Sequence, residues 1–367
     1  MRRLTLQDGE DACLGGGVFA CGGGGWYEHG LKNARVALGL GRIQLVEASE
    51  LPTDGLVVTA SAIGAPASND FEMWPRDYIK AFELVRDAAE ADTGQKVVAL
   101  MVAQNGYSST VNAWMPAASF GLPVLDAAGD VRAHPTIKLG AMGYAAEAQL
   151  TTIQAVVGGK RDEGAYLEVI AKGSLFKTSN ILRLASVQAG GFIASARLPL
   201  PVSLVAARAA LGSVSRAIDL GRAMREASGA GGRDVIDAIL TETRGFLLGT
   251  GRVVQRSLDT HGGFDHGFYR VDSDQGILEL TLLNEFLTAD RKGVRVNTFP
   301  DTLSVLDAGT GLPLKSKDIY PGREVSVLHV PYDKLPLGAG PRDPAALKDL
   351  EELTGLEILK YLPESWR

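Results

Sequence analysis

The chain has 367 residues, of which 46% are hydrophobic and 22% are charged, and its formal net charge is −6. The acidic balance, with no cluster of Lys and Arg among aromatic residues, excludes a basic nucleic-acid-binding surface. Apolar runs end well before the length of a membrane span, and acidic residues stand where a secretory signal would need an apolar segment. We therefore expect a cytoplasmic protein that is long enough for two domains.

Alternating helix and strand signals fill the first 145 residues or so. Thr5 and Asp8 form a capping-box pattern, which predicts a helix to about Leu14. Glycines follow at 15–17 and 22–25, and then a second helix with apolar positions at helical spacing. Two short strands come next, in the segments IQLVEA and GLVVTASAIGAP.

The alternation continues beyond residue 66. An amphipathic pattern predicts a helix that starts near Pro75 and ends before Gly94. A strand, a helix and another strand are then predicted in KVVALMVAQNG, VNAWMPAASFG and LPVLDAAGD. This order indicates a three-layer α/β domain with a mostly parallel sheet, which we assign to residues 1–160.

The pattern changes from about residue 150 onward. Two consecutive strands, a helical excursion near 200–245 and a series of short β-branched runs between 246 and 330 are predicted. A last helix is expected after Asp343, with Pro344 at its first position. Residues 161–367 are therefore predicted to form a mixed, β-rich α+β domain.

Four loops are candidates for a ligand site, because ligands of α/β sheets bind beyond the carboxyl ends of the strands. They are residues 22–25, 61–65, 104–109 and 126–134. The last contains Asp126, Arg132 and His134, which could bind an anionic or cyclic-amide substrate and move protons. A plain polar turn with a surface arginine is the alternative.

The run Gly22, Gly23, Gly24 and Gly25 does not match a nucleotide-binding fingerprint. It lacks the preceding strand of GxGxxG, no GK[ST] follows it, and GxSxG is absent from the chain. The glycines are therefore the only feature that supports a nucleotide-dependent oxidoreductase as the function. The remaining explanation is a backbone that approaches a ligand or another loop where a Cβ would collide.

Cysteine and histidine residues limit the metal and thiol chemistry. Cys13 and Cys21 are too few for a zinc site of four cysteines, or of three cysteines and a histidine. Cys21 adjoins the glycines and is either a small buried side chain or a reactive thiol. His261 and His266 with Asp265 could ligate a metal, but only if a turn brings residues five apart to one face.

Two further polar residues stand in apolar strands. His329 is expected to be a core histidine with satisfied hydrogen bonds. Glu285 interrupts the segment LTLLNEFLTA, and a carboxylate there needs a partner or a functional role.

An ordered set of segments resembles the S-methyl thiohydantoin desulfurase-like family. The segments are GGGVFACGGGG, SAIGAP, AASFGLPVLDAAGDVRAHP, LLNEFLTA and FPDTLSVLDAGTGLP. The resemblance implies two domains and hydrolytic desulfurisation of a thiohydantoin ring, in which water replaces sulfur at a ring carbon. It also implies association with hydantoinase- or oxoprolinase-type proteins.

Three positions depart from the family pattern. Ala103 and Thr136 stand where the family usually carries glutamate, and Cys21 stands where threonine is common. A divalent metal such as zinc is implied by the resemblance, but the two missing carboxylates argue against the family's means of holding it. Two hypotheses follow: a hydrolase for a small cyclic amide or thiohydantoin ring, and a non-catalytic, small-molecule-binding subunit that partners a hydantoinase-type enzyme.

For the hydrolase, we predict that Asp126, His134 and Cys21 take part in catalysis and that the protein is a homo-oligomer. The predicted substrate-binding residues are Gly22, Gly23, Gly24, Gly25, Gly64, Asn105, Ser108, Arg132 and Glu285.

Overall fold

A computed structural model describes residues 1–145, 147 and 150–367. The helices are α1 (Leu6–Phe19), α2 (Tyr27–Leu40), α3 (Pro75–Thr93), α4 (Trp114–Phe120), α5 (Leu175–Gln188), α6 (Val202–Arg208), α7 (Ser213–Ala227), α8 (Gly232–Thr243) and α9 (Pro344–Thr354). In these described ranges, no helix combines the length and the apolar character that a membrane crossing requires.

The strands form two sheets. The first contains β1 (Arg2–Arg3), β2 (Gln44–Val46), β3 (Leu56–Gly64), β4 (Val97–Gln104), β5 (Val124–Asp130), β6 (Thr151–Gly158), β7 (Leu167–Ser174), β8 (Phe192–Pro201) and β9 (Ala210–Leu211). The second contains β10 (Phe246–His261), β11 (Phe264–Ser273), β12 (Gly276–Leu283), β13 (Glu285–Arg291), β14 (Val294–Thr298), β15 (Thr302–Asp307) and β16 (Glu324–Val330).

The first sheet has the order β1-β2-β5-β4-β3-β8-β6-β7, and β9 pairs with β5. Strands β2, β5, β4 and β3 run parallel to each other, whereas β8, β6 and β7 continue the sheet in antiparallel pairs. The predicted α/β class is confirmed, and the sheet is mixed with a parallel centre.

Helices cover both faces of this sheet. Alternate residues of a strand point to opposite faces, so Leu56 and Val58 join one core with α2, α3 and α4. Val57 and Ile63 join the other core, to which α5, α6 and α9 contribute. The predicted three-layer arrangement is therefore present, and the strands read as nearly continuous apolar runs because both faces are buried.

The second sheet is antiparallel throughout, in the order β14-β13-β12-β11-β10-β16-β15. Its core includes Tyr269, Leu280 and Phe286. The prediction of a β-rich C-terminal part, preceded by a helical excursion, is confirmed. The tail helix also begins as predicted, because the Asp343 carboxylate accepts a hydrogen bond from Ala345 N at 3.0 Å.

The predicted end of α1 at Leu14 is wrong. The Thr5–Asp8 capping box is present, but the helix continues through all three glycines to Phe19. A Cβ on Gly15 would overlap the carbonyl oxygen of Ala217 in α7. Gly15 therefore lets two helices approach closely, and tertiary contact outweighs its poor helix propensity.

The first sheet extends beyond residue 160. Strand β8 lies beside β3, and it was not predicted because its sequence merges with the apolar start of the helical excursion. Helix α5 was also missed. Strands from both sides of residue 160 therefore belong to one sheet. The division of the chain into two independent units at residue 160 stays a prediction.

Candidate functional site

A cavity lies where the carboxyl ends of β3 and β4 meet the turn between β12 and β13. Its enclosed part is small, since the volume open to the centre of a water-sized sphere is about 40 Å³, which is room for about three water molecules, and the cavity continues into open solvent. Parts of all four loops selected from the sequence reach it. It is lined by Gly24, Gly25, Ser61, Ala62, Ile63, Gly64, Pro66, Ala103, Gln104, Ser109, Asn112, His134, Pro135, Thr136, Ile137, Arg183, Phe192, Arg197, Asn284 and Glu285.

The glycine loop packs against the loop that follows β4. Ser109 donates hydrogen bonds from its backbone N and its Oγ to Gly24 O, at 3.4 and 3.2 Å. Gly24 has φ +69°, and a Cβ on it would lie 2.7 Å from Gly106 Cα. The glycines thus allow two loops to touch backbone to backbone, which is one of the two explanations offered by the sequence.

A tight turn directs Glu285 into the cavity. Asn284 has φ +57°, donates to Gly64 O at 3.4 Å and accepts from Asp265 N at 2.9 Å, so both sheets fix the turn. Glu285 is only 3% exposed; Gly24 N–H donates to its carboxylate, and Oε2 has no partner. Burial raises the pKa of Glu285 to about 8.

His134 follows β5 and is held by its backbone, whose N donates to Gln104 Oε1 at 3.1 Å. Its imidazole is buried, and among the described residues neither ring nitrogen has a hydrogen-bond partner. Burial, together with the charges of Arg197 and Arg132, holds the pKa of His134 well below its usual value. The ring is therefore neutral at pH 7, and the arginine charges make it a weak base.

Arg183 of α5 connects three segments around the cavity. It donates to Gly64 O at 3.1 Å, to Gly263 O at 3.0 Å and to Pro135 O at 2.9 Å. Burial lowers the pKa of its guanidinium to about 10, so it is charged at neutral pH. Its donors are directed to carbonyl groups, which gives Arg183 a role in holding the walls together.

Six side chains that line the cavity have buried polar atoms for which the described residues supply no hydrogen-bond partner. Buried polar groups are nearly always paired, so such a concentration at one place indicates atoms prepared for a ligand or for water. The atoms belong to Ser61, Asn112, His134, Thr136, Arg197 and Glu285.

Some predicted site residues meet at the cavity and others do not. The cavity brings together Gly24, Gly25, Gly64, His134 and Glu285. Outside its lining lie Cys21, Gly22, Gly23, Asn105, Ser108, Asp126 and Arg132.

Asp126 lies within β5, which reaches Asp130 as predicted for the segment LPVLDAAGD, so only the later part of the candidate loop 126–134 is outside the strand. Its carboxylate accepts hydrogen bonds from Val214 N at 2.9 Å and Ser215 N at 3.0 Å. These donors are at the start of α7, where free backbone N–H groups attract a carboxylate. This position fits a helix-anchoring role, and the predicted catalytic role has no support from the geometry.

Arg132 is fully buried behind the cavity. It donates to Ala133 O at 3.0 Å, to Phe286 O at 2.7 Å and to Asp301 O. Its guanidinium also lies over the ring of Phe299. The arginine therefore links the end of β5 to the second sheet. The sequence analysis had predicted that Arg132 binds the substrate.

Cys21 and its neighbours form a layer beneath the cavity. Cys21 has φ +49°, its carbonyl accepts from Phe286 N at 2.7 Å, and burial raises the pKa of its thiol. The thiol is thus protonated and poorly suited to nucleophilic attack. Gly22 O accepts from Ser316 N, and a Cβ on Gly23 would overlap Glu285 Oε1.

The loop after β4 is fixed by side chains that face away from the cavity. Asn105 donates to Ser213 O at 2.9 Å, and the Oγ of Ser108 accepts from Trp26 N at 3.4 Å. Both predicted binding residues thereby support the wall around the site.

The cavity residues do not fit a divalent metal. In the described part of the chain, no group of three or more His, Cys, Asp or Glu side chains could hold one. His134 and Glu285 are accompanied by the guanidinium groups of Arg183 and Arg197, whose charge opposes a cation.

The possible metal site at His261, Asp265 and His266 is not assembled. The hairpin turn does bring the two imidazoles together, with ring centroids 4.0 Å apart. The Asp265 carboxylate, however, accepts from Ala67 N at 2.7 Å and Thr260 Oγ1 at 2.6 Å. His329 is a core residue as predicted, with Asn297 at 3.0 Å.

Polar cavity residues that the sequence did not reveal include two arginines and an asparagine. Arg183 and Arg197 lie on α5 and β8, neither of which was predicted, and Asn112 lies in the turn before α4. The signal for Arg197 was the segment FIASARLPLP, in which an arginine interrupts an otherwise apolar run. A strand prediction there would have marked it as a buried charge that needs an explanation.

Comparisons with known proteins agree with this two-part fold. The crystal structure of a protein from Chromobacterium violaceum aligns with a TM-score of 0.68 and 20% sequence identity, covering 96% of each chain. Functionally curated proteins yield no match. Family models match residues 7–162 as the S-Me-THD-like N-terminal domain and residues 174–336 as the S-Me-THD-like C-terminal domain. Since these two matches cover most of the sequence in order, the chain belongs to the S-Me-THD-like family.

Proposed function

We propose that the protein hydrolyses a small cyclic amide or thiohydantoin-type ring in this cavity. The observation that carries the proposal is the set of six lining side chains with unpartnered buried polar atoms. Donors and acceptors both occur in the set, and a cyclic amide likewise presents N–H and carbonyl or thiocarbonyl groups around its edge.

Two lining residues suit proton transfer. Glu285, with its pKa raised to about 8, is protonated at pH 7 and acts as a general acid towards the leaving group. His134 is neutral and accepts a proton from the attacking water. The pair thus holds one acid and one base at the same pH.

For a thiohydantoin, water adds to the ring carbon that bears sulfur, and a C–O bond replaces the C–S bond. The ring C=S group and water give a ring C=O group and hydrogen sulfide. Both protons of the water reach sulfur by way of His134 and Glu285, which return to their initial states.

A panel of hydantoins, thiohydantoins and lactams tests this proposal. We expect turnover of one class, and a fall in kcat of about 100-fold or more in Glu285→Gln. Glu352→Gln, on the exposed side of α9, is the matched control and keeps full activity. The rate should fall above about pH 8, where Glu285 loses its proton. Folded protein that turns over no ring, with or without added zinc, would overturn the proposal.

A second candidate function is a non-catalytic binding subunit. Ala103 and Thr136, at the two positions where the sequence resemblance led us to expect glutamate, both line the cavity. Loss of both carboxylates from the site is compatible with binding without hydrolysis. Ring compounds that bind without turnover, together with a stable complex with a hydantoinase-type protein, would favour this candidate over the enzyme.

A further inference from the structure

The guanidinium group of Arg197 is unusual among the buried charges of this protein. Arg197 is 3% exposed and lines the cavity. In the described part of the chain no side chain forms an ion pair with it, and its Nε has no hydrogen-bond partner. Arg183, by contrast, donates to three carbonyl groups. An unpaired buried cation is costly to fold, so Arg197 calls for a partner that comes from outside the chain.

Three hydroxyl side chains share one face of the first sheet with this guanidinium. The register of β3 and β8 places Ser61 opposite Ser195 and Thr59 opposite Arg197. Residues directly opposite in neighbouring strands share a face, and alternate residues of a strand do so too. The hydroxyl oxygens of Thr59, Ser61 and Ser195 are all buried, and none has a hydrogen-bond partner among the residues that the structure describes.

The local charge is positive at neutral pH. Burial and the nearby charge of Arg183 lower the pKa of Arg197 to about 9, which leaves it protonated at pH 7. The carboxyl group of Glu285, with its pKa near 8, is mostly uncharged at that pH. The site therefore has an excess of positive charge together with free O–H donors, the combination that binds anions.

We propose that Arg197 and Ser61, which both line the cavity, form an anion subsite there, with the hydroxyl group of Ser195 on the same face of the sheet. This inference rests on the proposed function in one respect, which is that the ligand is a ring compound. The negative charge has two sources with the same chemistry. It is either a fixed anionic substituent of the ring, such as a carboxylate, or the charge that develops on oxygen or sulfur during hydrolysis.

Anion binding is measured first without turnover. Sodium acetate and sodium sulfate are titrated into the full chain at pH 7 in a calorimeter, with Arg197→Met, Arg197→Lys and Arg233→Gln as variants. We expect Arg197→Met to bind at least about tenfold more weakly and Arg197→Lys to fall between it and the wild type. Arg233 is exposed and pairs with Asp237 on α8, so its variant controls for loss of surface charge.

Thermal unfolding separates this role from a structural one. Because Arg197 has no ion-pair partner among the described residues, the apolar variant Arg197→Met should unfold at the same temperature as the wild type or higher. Equal anion affinity in wild type and Arg197→Met would overturn the proposal. So would absence of anion binding by the wild type, or a fall in melting temperature of several degrees in Arg197→Met.

The source of the charge follows from kinetics on rings with and without a carboxylate substituent. A fixed charge predicts that Arg197→Met raises KM only for the carboxylated ring. A developing charge predicts that it lowers kcat for both. Failure of every ring to react would refute the hydrolase and leave the calorimetric result standing, so the two failures are distinguishable.

Discussion

The two glycine runs of this chain are close in sequence but perform different tasks. The first, at residues 15–17, lies inside helix α1, where Gly15 adopts helical geometry and touches the backbone of α7. The second, at residues 22–25, is a loop in which Gly24 has φ +69° and touches Gly106. In the first run the missing side chain is what matters. In the second, both the missing side chain and the left-handed backbone are required.

The two glycine runs also differ in whether they contact the cavity. The α1–α7 contact made by Gly15 is remote from the cavity lining, whereas Gly24 and Gly25 line the cavity and Gly24 N–H donates to Glu285. Substitution of Gly15 should therefore change folding alone. Substitutions in the second run should change the site as well.

Gly15→Ala is expected to have the largest effect. Its Cβ would overlap backbone atoms of Ala217 and Gly221, which cannot move without shifting α7, so the free energy of unfolding should fall by about 3 kcal/mol. Denaturant unfolding measures it. Gly39→Ala, at an exposed position of α2 with no atom within 4 Å, is the control and should be stabilising by about 0.5–1 kcal/mol. Equal effects at the two positions would remove the helix-contact explanation.

Gly24→Ala should be next in size, at about 2 kcal/mol, because it combines backbone strain with a 2.7 Å approach to Gly106 Cα. Gly164→Ala separates the two contributions. That residue has φ +71° with open space around it, so its variant should lose only the strain, about 1 kcal/mol. Ligand affinity should fall in Gly24→Ala and stay unchanged in Gly164→Ala, and the reverse pattern would contradict our assignment of the loop.

The remaining prediction concerns the pH dependence of stability. The pKa of Glu285 is raised by folding, so its contribution to stability is complete below its unfolded value near 4.5 and is lost as pH rises through about 8. Glu285→Gln cannot ionise and should flatten this part of the stability curve between pH 5 and 9. Gly23→Ala, whose Cβ would overlap the Glu285 carboxylate, should change the same part of the curve. If the free energy of unfolding changed with pH in the same way in the wild type, Glu285→Gln and Gly23→Ala, then Glu285 would not be buried as described.

Sequence reasoning located the site at the level of loops better than at the level of residues. The rule that ligands bind beyond the carboxyl ends of parallel strands selected segments that do meet at the cavity. It could not distinguish His134, which faces the cavity, from Arg132, which is two residues away and donates to the second sheet. That choice depends on side-chain direction, which is set by tertiary packing.

The missed residues have a common physical cause. Arg197 belongs to a strand whose partner, β3, is far away in sequence, and local propensity contains no information about that pairing. The same limitation hid the polar face formed by β3 and β8, because Ser61 and Ser195 become neighbours only in the folded sheet. The α/β class, the tail helix and the β-rich second part were accessible because they depend on local periodicity.

The position of β8 also has a consequence for how the protein is made. Strand β3 ends at Gly64 and its neighbour β8 begins at Phe192, so 127 residues (65–191) must be synthesised between them. At cellular rates of about 5–20 residues per second this takes on the order of ten seconds. During that interval the apolar edge of β3 that later pairs with β8 is open to other chains. The nascent polypeptide therefore exposes an apolar strand edge before β8, the strand that later covers it, has left the ribosome.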